Sequence, residues 1–126
     1  MKIEQRDLVL IPIPFTDLSS HRKRPVIVIS RQEYNDSTED IIVVGVTSNI
    51  KDKTPYSFVI SNDNMENGKI KMDSRVRADK IYTLSKSIVV KKFGKVDKRT
   101  HNKIITLLQK VVVHQDSNED KEKNEY

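Results

Sequence analysis

His21, Arg22, Lys23 and Arg24 stand side by side, and Pro25 and the apolar run Val26 to Ile29 follow at once. An arginine guanidinium is a permanently charged, forked donor that grips two phosphate oxygens together, whereas a histidine gives and takes protons near neutral pH. Two more polar sets fall at the ends of apolar segments. Thr47, Ser48 and Asn49 follow "IIVVGV", and Arg75, Arg77 and Asp79 lie within "DSRVRAD". Cations that hold a phosphate, a hydroxyl that orients it and groups that move a proton are what phosphate-ester chemistry uses. Each residue alone is an ordinary solvated turn residue. Their shared position at strand ends suggests one common rim.

Other chemistries find little here. The three histidines, His21, His101 and His114, are scattered without ligand spacing and no acidic pair forms a DxD or HExxH cluster, so no metal or other cofactor is expected. The glycines Gly45, Gly68 and Gly94 are isolated, which removes a P-loop or a GxGxxG turn. Gly45 reads as a bulge or a close backbone contact within a strand, and Gly94 as a turn or kink.

The elements that must carry these groups have a period of two. "DLVLIPIPF" (7–15), "PVIVIS" (25–30), "DIIVVGVT" (40–47), "YSFVIS" (56–61), "KIKMDSRVRADKI" (69–81) and "SIVVKKFGKV" (87–96) are β-branched-rich and separated by polar turns. They predict about six strands in a meander, the first ending at an edge or bending at Pro12 and Pro14. After Asp97, an N-cap residue, the spacing of Ile104, Leu107, Leu108, Val111 and Val112 predicts an amphipathic helix. The fold class is therefore mainly β within α+β: a small SH3-like antiparallel barrel with a C-terminal helix. Residues 1–114 form one domain, and 115–126, with almost nothing apolar to bury, a disordered charged tail.

Charge is unevenly placed. The chain carries +5, but five acidic residues and two lysines give 115–126 a net −3, which leaves +8 on the rest. A basic domain attracts polyanions, chiefly nucleic acid. Cysteine is absent, so disulfides and thiolate metal sites are excluded and a reducing cytoplasm is the expected compartment. No apolar run approaches the roughly 18–20 residues that span a bilayer, and the first residues read as a strand rather than a signal peptide, so no membrane association is expected.

The stretches "DLVLIPIPFTDLSSHRKRPVIVIS", "IIVVGVTSNI" and "DSRVRADKIYTLSKSIVVKKFGKVD", in that order, resemble the signatures of the PemK/MazF-like growth-inhibitor toxins, the ribonuclease halves of toxin–antitoxin pairs. The resemblance runs from Met1 to about Val113. It implies a metal-independent endoribonuclease (an mRNA interferase) acting on single-stranded RNA as a homodimer. It also implies a cognate antitoxin that neutralises the toxin, and contact with operator DNA only through the antitoxin complex. Carried over by motif, the catalytic arginine before the proline falls on Arg24 and the hydroxyl at the end of the third strand on Thr47. A third cluster falls on Arg77 and Asp79, and a first-loop histidine on His21. Arg22, Lys23, Ser48, Asn49 and Arg75 are the accompanying candidates for holding the RNA strand.

The residue types suit that reaction. RNA cleaves itself when a 2'-hydroxyl attacks the adjacent phosphorus, given a group to take the hydroxyl proton, donors to steady the added charge and an acid for the leaving 5'-oxygen. Arg24 suits the phosphate and Thr47 its orientation. His21 and Asp79 compete for proton transfer, and the acid and base stay unassigned. Two other readings belong to different classes. A non-catalytic nucleic-acid-binding barrel needs the basic rim but neither Thr47 nor His21. An SH3-type peptide groove fits poorly, because tryptophan is absent and Phe15, Phe58 and Phe93 sit in apolar strand contexts.

Overall fold

The computed structural model describes residues 1–12 and 22–114. Among these, one antiparallel sheet holds β1 (Asp7–Pro12), β2 (Lys23–Val28), β3 (Asp40–Thr47), β4 (Ser57–Ile60), β5 (Met65–Gly68), β6 (Ser74–Ser85) and β7 (Lys91–Val96). Helix α1 (Gln32–Ser37) lies between β2 and β3, and α2 (Lys98–Val112) follows β7. The spatial order is β4-β6-β3-β2-β1-β7-β5.

That order forces the sheet to curl. β4 and β5 are its two ends, yet only residues 61–64 join them. Five residue steps reach at most about 18 Å. Seven flat strands spaced about 4.8 Å apart would hold their outer members about 29 Å apart. The edges must therefore approach, and the result is a curled half-barrel that carries a C-terminal helix, in keeping with the small antiparallel barrel and helix expected.

Side chains alternate across the strands into two clusters. Leu8, Ile27, Val44, Val46, Ile60, Val76 and Val96 form the inner cluster, which Ile104 of α2 completes. Val9, Ile11, Val26, Val28, Ile41 and Val43 face the other way, packed with Ile3 and Leu84 beside the partly buried Ile88 and Val89. Both faces of β1 to β3 are thus covered, which is why those strands read as nearly unbroken apolar runs. Each fully buried aliphatic side chain contributes about 1.5–3 kcal/mol.

Several expectations need correction. The sheet has seven strands, and only β1-β2-β3 is a meander; β6 pairs with β3, and β4 lies outside β6. The segment predicted over 69–81 is irregular chain through Asp73, and β6 then runs from Ser74 to Ser85. β5, "MENG", has no apolar alternation and exists because it pairs with β7. α1 has no apolar stripe either; its buried Asn35 donates from Nδ2 to the Ser30 carbonyl at 3.0 Å and also meets the Ser30 hydroxyl. β1 is an interior strand, paired with β7 only as far as Leu10 and with β2 as far as Pro12. Residues 13–15 of the predicted first strand, Pro14 and Phe15 among them, lie outside the described residues, as does the 115–126 segment.

α2 begins as the sequence implies. Asp97 Oδ1 accepts from the Thr100 N–H at 2.7 Å, the bond of a helix N-cap. Ile104 is fully buried, and Leu107 and Leu108 pack partly against the inner cluster. Val111 and Val112, expected on the same buried face, are exposed instead, because that face of the helix has passed the inner cluster by its last turn. Among the described residues, no helix is long and apolar enough to cross a membrane.

Candidate active site

The sheet parts between β2 and β3. Their pairing stops at Val26 opposite Gly45. Beyond it, β2 stays with β1 through Pro25, Arg24 and Lys23, while β3 stays with β6 through Val46 and Thr47. Two residues explain the parting. Pro25 has no N–H to offer β3. Across from Gly45, β6 carries an irregularity, since Val44 pairs with Ile81 but Gly45 pairs with Arg77. Such a bulge bends a strand and strengthens its twist. The Gly45 expectation of a bulge and close approach therefore holds: a Cβ there would lie 3.3 Å from Lys80 Cβ.

The parting opens a groove of about 510 Å³. Its lining includes Lys23, Arg24, Pro25, Thr47 and Ser48, so four of the residues singled out in the sequence come together. Inner-cluster side chains, including Leu8, Val46 and Ile60, reach its floor. Ile70, Lys71, Met72, Lys91 and Phe93 line it as well. Among the described residues it has four cationic side chains in its lining and no carboxylate. Thr47 Oγ1 accepts from the Asn49 N–H at 3.2 Å, a bond that holds the hydroxyl at the groove's edge and shapes the turn after β3. Asn49 itself is exposed and outside the lining.

Arg75 serves elsewhere. It is 7% exposed; Nε and Nη2 donate to the Ile50 carbonyl at 3.1 and 2.7 Å, and Nη1 to Ser57 Oγ at 3.0 Å. Its guanidinium ties the 48–54 loop to β4 instead of standing open to a phosphate. Alternation does not separate it from Thr47, since the two are cross-strand partners and share a face; Arg75 is set apart because its donors are already bonded to Ile50 and Ser57.

Arg77 and Asp79 form a two-bonded pair, with Nε to Oδ1 and Nη2 to Oδ2 both at 3.0 Å, and Asp52 lies 3.7 Å from Arg77. Neither residue lines the groove. The hydrogen bonds from Arg77 hold the Asp79 carboxyl below the usual aspartate range, against a smaller opposing effect of burial. A carboxylate so held is a weak base. Because its folded pKa is depressed, the pair contributes stability above the ordinary aspartate value near 3.9 and loses it as pH falls through the lower folded value. Asp79→Asn is expected to remove up to about 1 kcal/mol at pH 7, with the difference from the parent vanishing at the acid end of that window. Urea unfolding at pH 7 and at pH 2–3 checks this, and an equal deficit at both would rule the pairing out as its cause.

Arg22 is exposed just ahead of β2, and His21 lies outside the described residues. His101 is partly buried rather than a surface histidine; burial, and secondarily Arg6, push its pKa down. The groove residues that sequence reasoning missed are Ile70, Lys71, Met72, Lys91 and Phe93. Their signal was present as cations interleaved with apolar and aromatic residues in "KIKM" and "KKF". A strand assignment absorbed it.

Comparison with known proteins adds the following. A family model described as PemK-like, MazF-like toxin of type II toxin-antitoxin system matches residues 4–112. No curated protein sequence matches. Among solved structures, the chain is similar to an endoribonuclease in complex with its cognate antitoxin from a mycobacterial species, with 22% identity, coverage of 90% of this chain and 99% of that one, and TM-score 0.67. It is also similar to the MazE-MazF crystal structure (Form-III) from Deinococcus radiodurans, with 19% identity, coverage of 91% and 100%, and TM-score 0.73. A further mycobacterial endoribonuclease gives 22% identity, coverage of 89% and 92%, and TM-score 0.69. At these identities the likeness is one of fold.

Proposed function

This chain belongs to the PemK-like, MazF-like toxins of type II toxin–antitoxin systems, and from that premise we propose that it is an endoribonuclease that cuts single-stranded RNA in its basic groove. The observation that carries the reading is the parting of β2 from β3, which sets Arg24 and Thr47 on one groove with Lys23, Lys71 and Lys91 and, among the described residues, without a carboxylate in the lining. A strand of phosphates fits such a groove; a cationic or neutral substrate does not.

Arg24 grips the scissile phosphate and steadies the charge that builds as the 2'-hydroxyl adds to phosphorus. The Thr47 hydroxyl, held by the Asn49 N–H, orients a phosphate oxygen or the attacking hydroxyl. Lys23, Lys71 and Lys91 hold neighbouring phosphates. The Arg77–Asp79 pair does not share the groove lining in the described chain, and its depressed carboxyl makes Asp79 a poor proton acceptor, which leaves His21 the better candidate for proton transfer. The chain acts as a homodimer whose cognate antitoxin neutralises it, and it meets operator DNA only in that complex.

The test is cleavage of single-stranded RNA by purified protein in EDTA. Full activity is expected, because the steps assigned to Arg24, Thr47 and His21 use only side chains. Activity that appears only on adding magnesium or manganese overturns the mechanism. The same preparation, sized by light scattering, is expected at twice the 14.6 kDa chain mass. RNA binding without any cleavage, after rigorous removal of contaminating nuclease, would favour the non-catalytic barrel.

A further inference from the structure

Phe93 is the one aromatic side chain in the groove's described lining, and the backbone goes out of its way to put it there. β1 pairs Leu8 with Gly94 and Val9 with Lys92, so Phe93 is the extra residue of a bulge in β7 and has no partner across the ladder. Bulges re-aim side chains and recur beside active sites. Two glycines of the β5–β7 pair lie beside it. Gly94 has φ +155 and Gly68 of β5 has φ +75, and a Cβ on Gly94 would lie 2.3 Å from the Asn67 carbonyl oxygen.

The ring packs partly against the inner cluster and also lines the groove. The Lys91 ammonium stands over it, 5.3 Å from the ring centroid. Ile70 lines the same groove, as does Met72, which is 59% exposed, with Lys71 between them. An aromatic ring, two apolar side chains and two lysines thus share the groove with Arg24 and Thr47.

We propose that Phe93, flanked by Met72 and Ile70, seats one unpaired nucleobase of the RNA next to the scissile phosphate, while Lys91 and Lys71 take the phosphates beside that base. The proposal rests on the endoribonuclease reading for the identity of the strand. Bases stack on aromatic rings irrespective of sequence because each has a π-face, and lysines alongside follow the backbone. A base that arrives on the ring replaces the Lys91 ammonium there and frees it for a neighbouring phosphate. A duplex holds its bases stacked inward and cannot offer one, so the seat selects single strands.

The experiment measures binding of the full chain to an uncleavable 2'-methoxy oligonucleotide by fluorescence anisotropy, with one base at a time replaced by an abasic sugar. One position is expected at which base removal weakens binding to the wild type about fivefold or more, the usual worth of a base–aromatic stack. Phe93→Leu is expected to lose the same factor on the intact oligonucleotide and nothing further on the abasic one. Phe93→Tyr, which keeps the ring, stays within about threefold of wild type on both. Equal losses by Phe93→Leu on both oligonucleotides, or no sensitive position in wild type, overturn the seat. Cleavage of unmodified RNA is scored separately. Cleavage without a base effect removes the seat and leaves the enzyme reading, whereas a base effect without cleavage does the reverse.

Discussion

Arg24→Lys is expected to cut RNA on the order of 10²-fold more slowly than the parent while binding an uncleavable 2'-methoxy oligonucleotide within several-fold of it. The substitution keeps the charge and loses the planar fork that donates to two oxygens together. Binding draws on several cations, because Lys23, Lys71 and Lys91 line the same groove. One phosphate contact among several therefore changes affinity and its salt slope only modestly. The transition state is less forgiving, since a preorganised donor aimed at the developing charge is typically worth about 2.7–4 kcal/mol. Single-turnover cleavage alongside anisotropy separates the two effects. A parallel loss of binding and rate would reduce Arg24 to an ordinary phosphate contact. Its place on a β2 held to β1, just where β2 has left β3, gives the residue a rigid base.

Gly94→Ala is the second large effect, and it acts on the fold. The added methyl would sit 2.3 Å from the Asn67 carbonyl oxygen and 2.7 Å from Gly68 Cα, both backbone atoms, at a φ of +155 that side chains rarely adopt. Strain of this kind costs about 1–3 kcal/mol and forced displacement of packed backbone a similar amount. A loss of about 3 kcal/mol or more is expected, which lowers the thermal midpoint of a domain this size by about 10 °C or more. Gly45→Ala is the contrast. Its methyl would come closest to Lys80 Cβ, at 3.3 Å, with its other neighbours at ordinary contact distance and without a left-handed φ, and a loss under about 1 kcal/mol is expected. Thermal melts of both proteins check the pair, and equal midpoints would show that the β5–β7 crossing does not need its glycines.

Much of this molecule is legible in its residues. Strand identity at β1, β2 and β3 follows from β-branched apolar runs too short for helices, and both faces of those strands prove buried. Asp97 announces α2, because a side-chain oxygen at that position accepts from one of the helix's first free N–H groups. Arg24, Lys23, Thr47 and Ser48 were recognisable as strand-end polar groups, and they meet in one groove. The basic excess outside 115–126 already pointed to a phosphate-rich partner.

Other features are decided only by the tertiary structure, because they depend on neighbours far along the chain. "MENG" becomes β5 through two glycines that let it cross β7, an arrangement with no local signature. Alternation along β6 could not reveal that Arg75 spends its donors on the Ile50 carbonyl and Ser57, or that Arg77 closes on Asp79, since partner geometry is not periodic. Phe93 read as one more apolar strand residue until a bulge, visible only as a slip in the β1–β7 register, turned it into the groove. Sequence by itself determined which apolar segments become strands and where the basic excess lies, because burial and backbone preference act residue by residue. What lines the opening was decided by the assembled sheet: the β6 bulge opposite Gly45 lies where β2 and β3 part, and a four-residue link between the outermost strands curls the sheet until its edges approach.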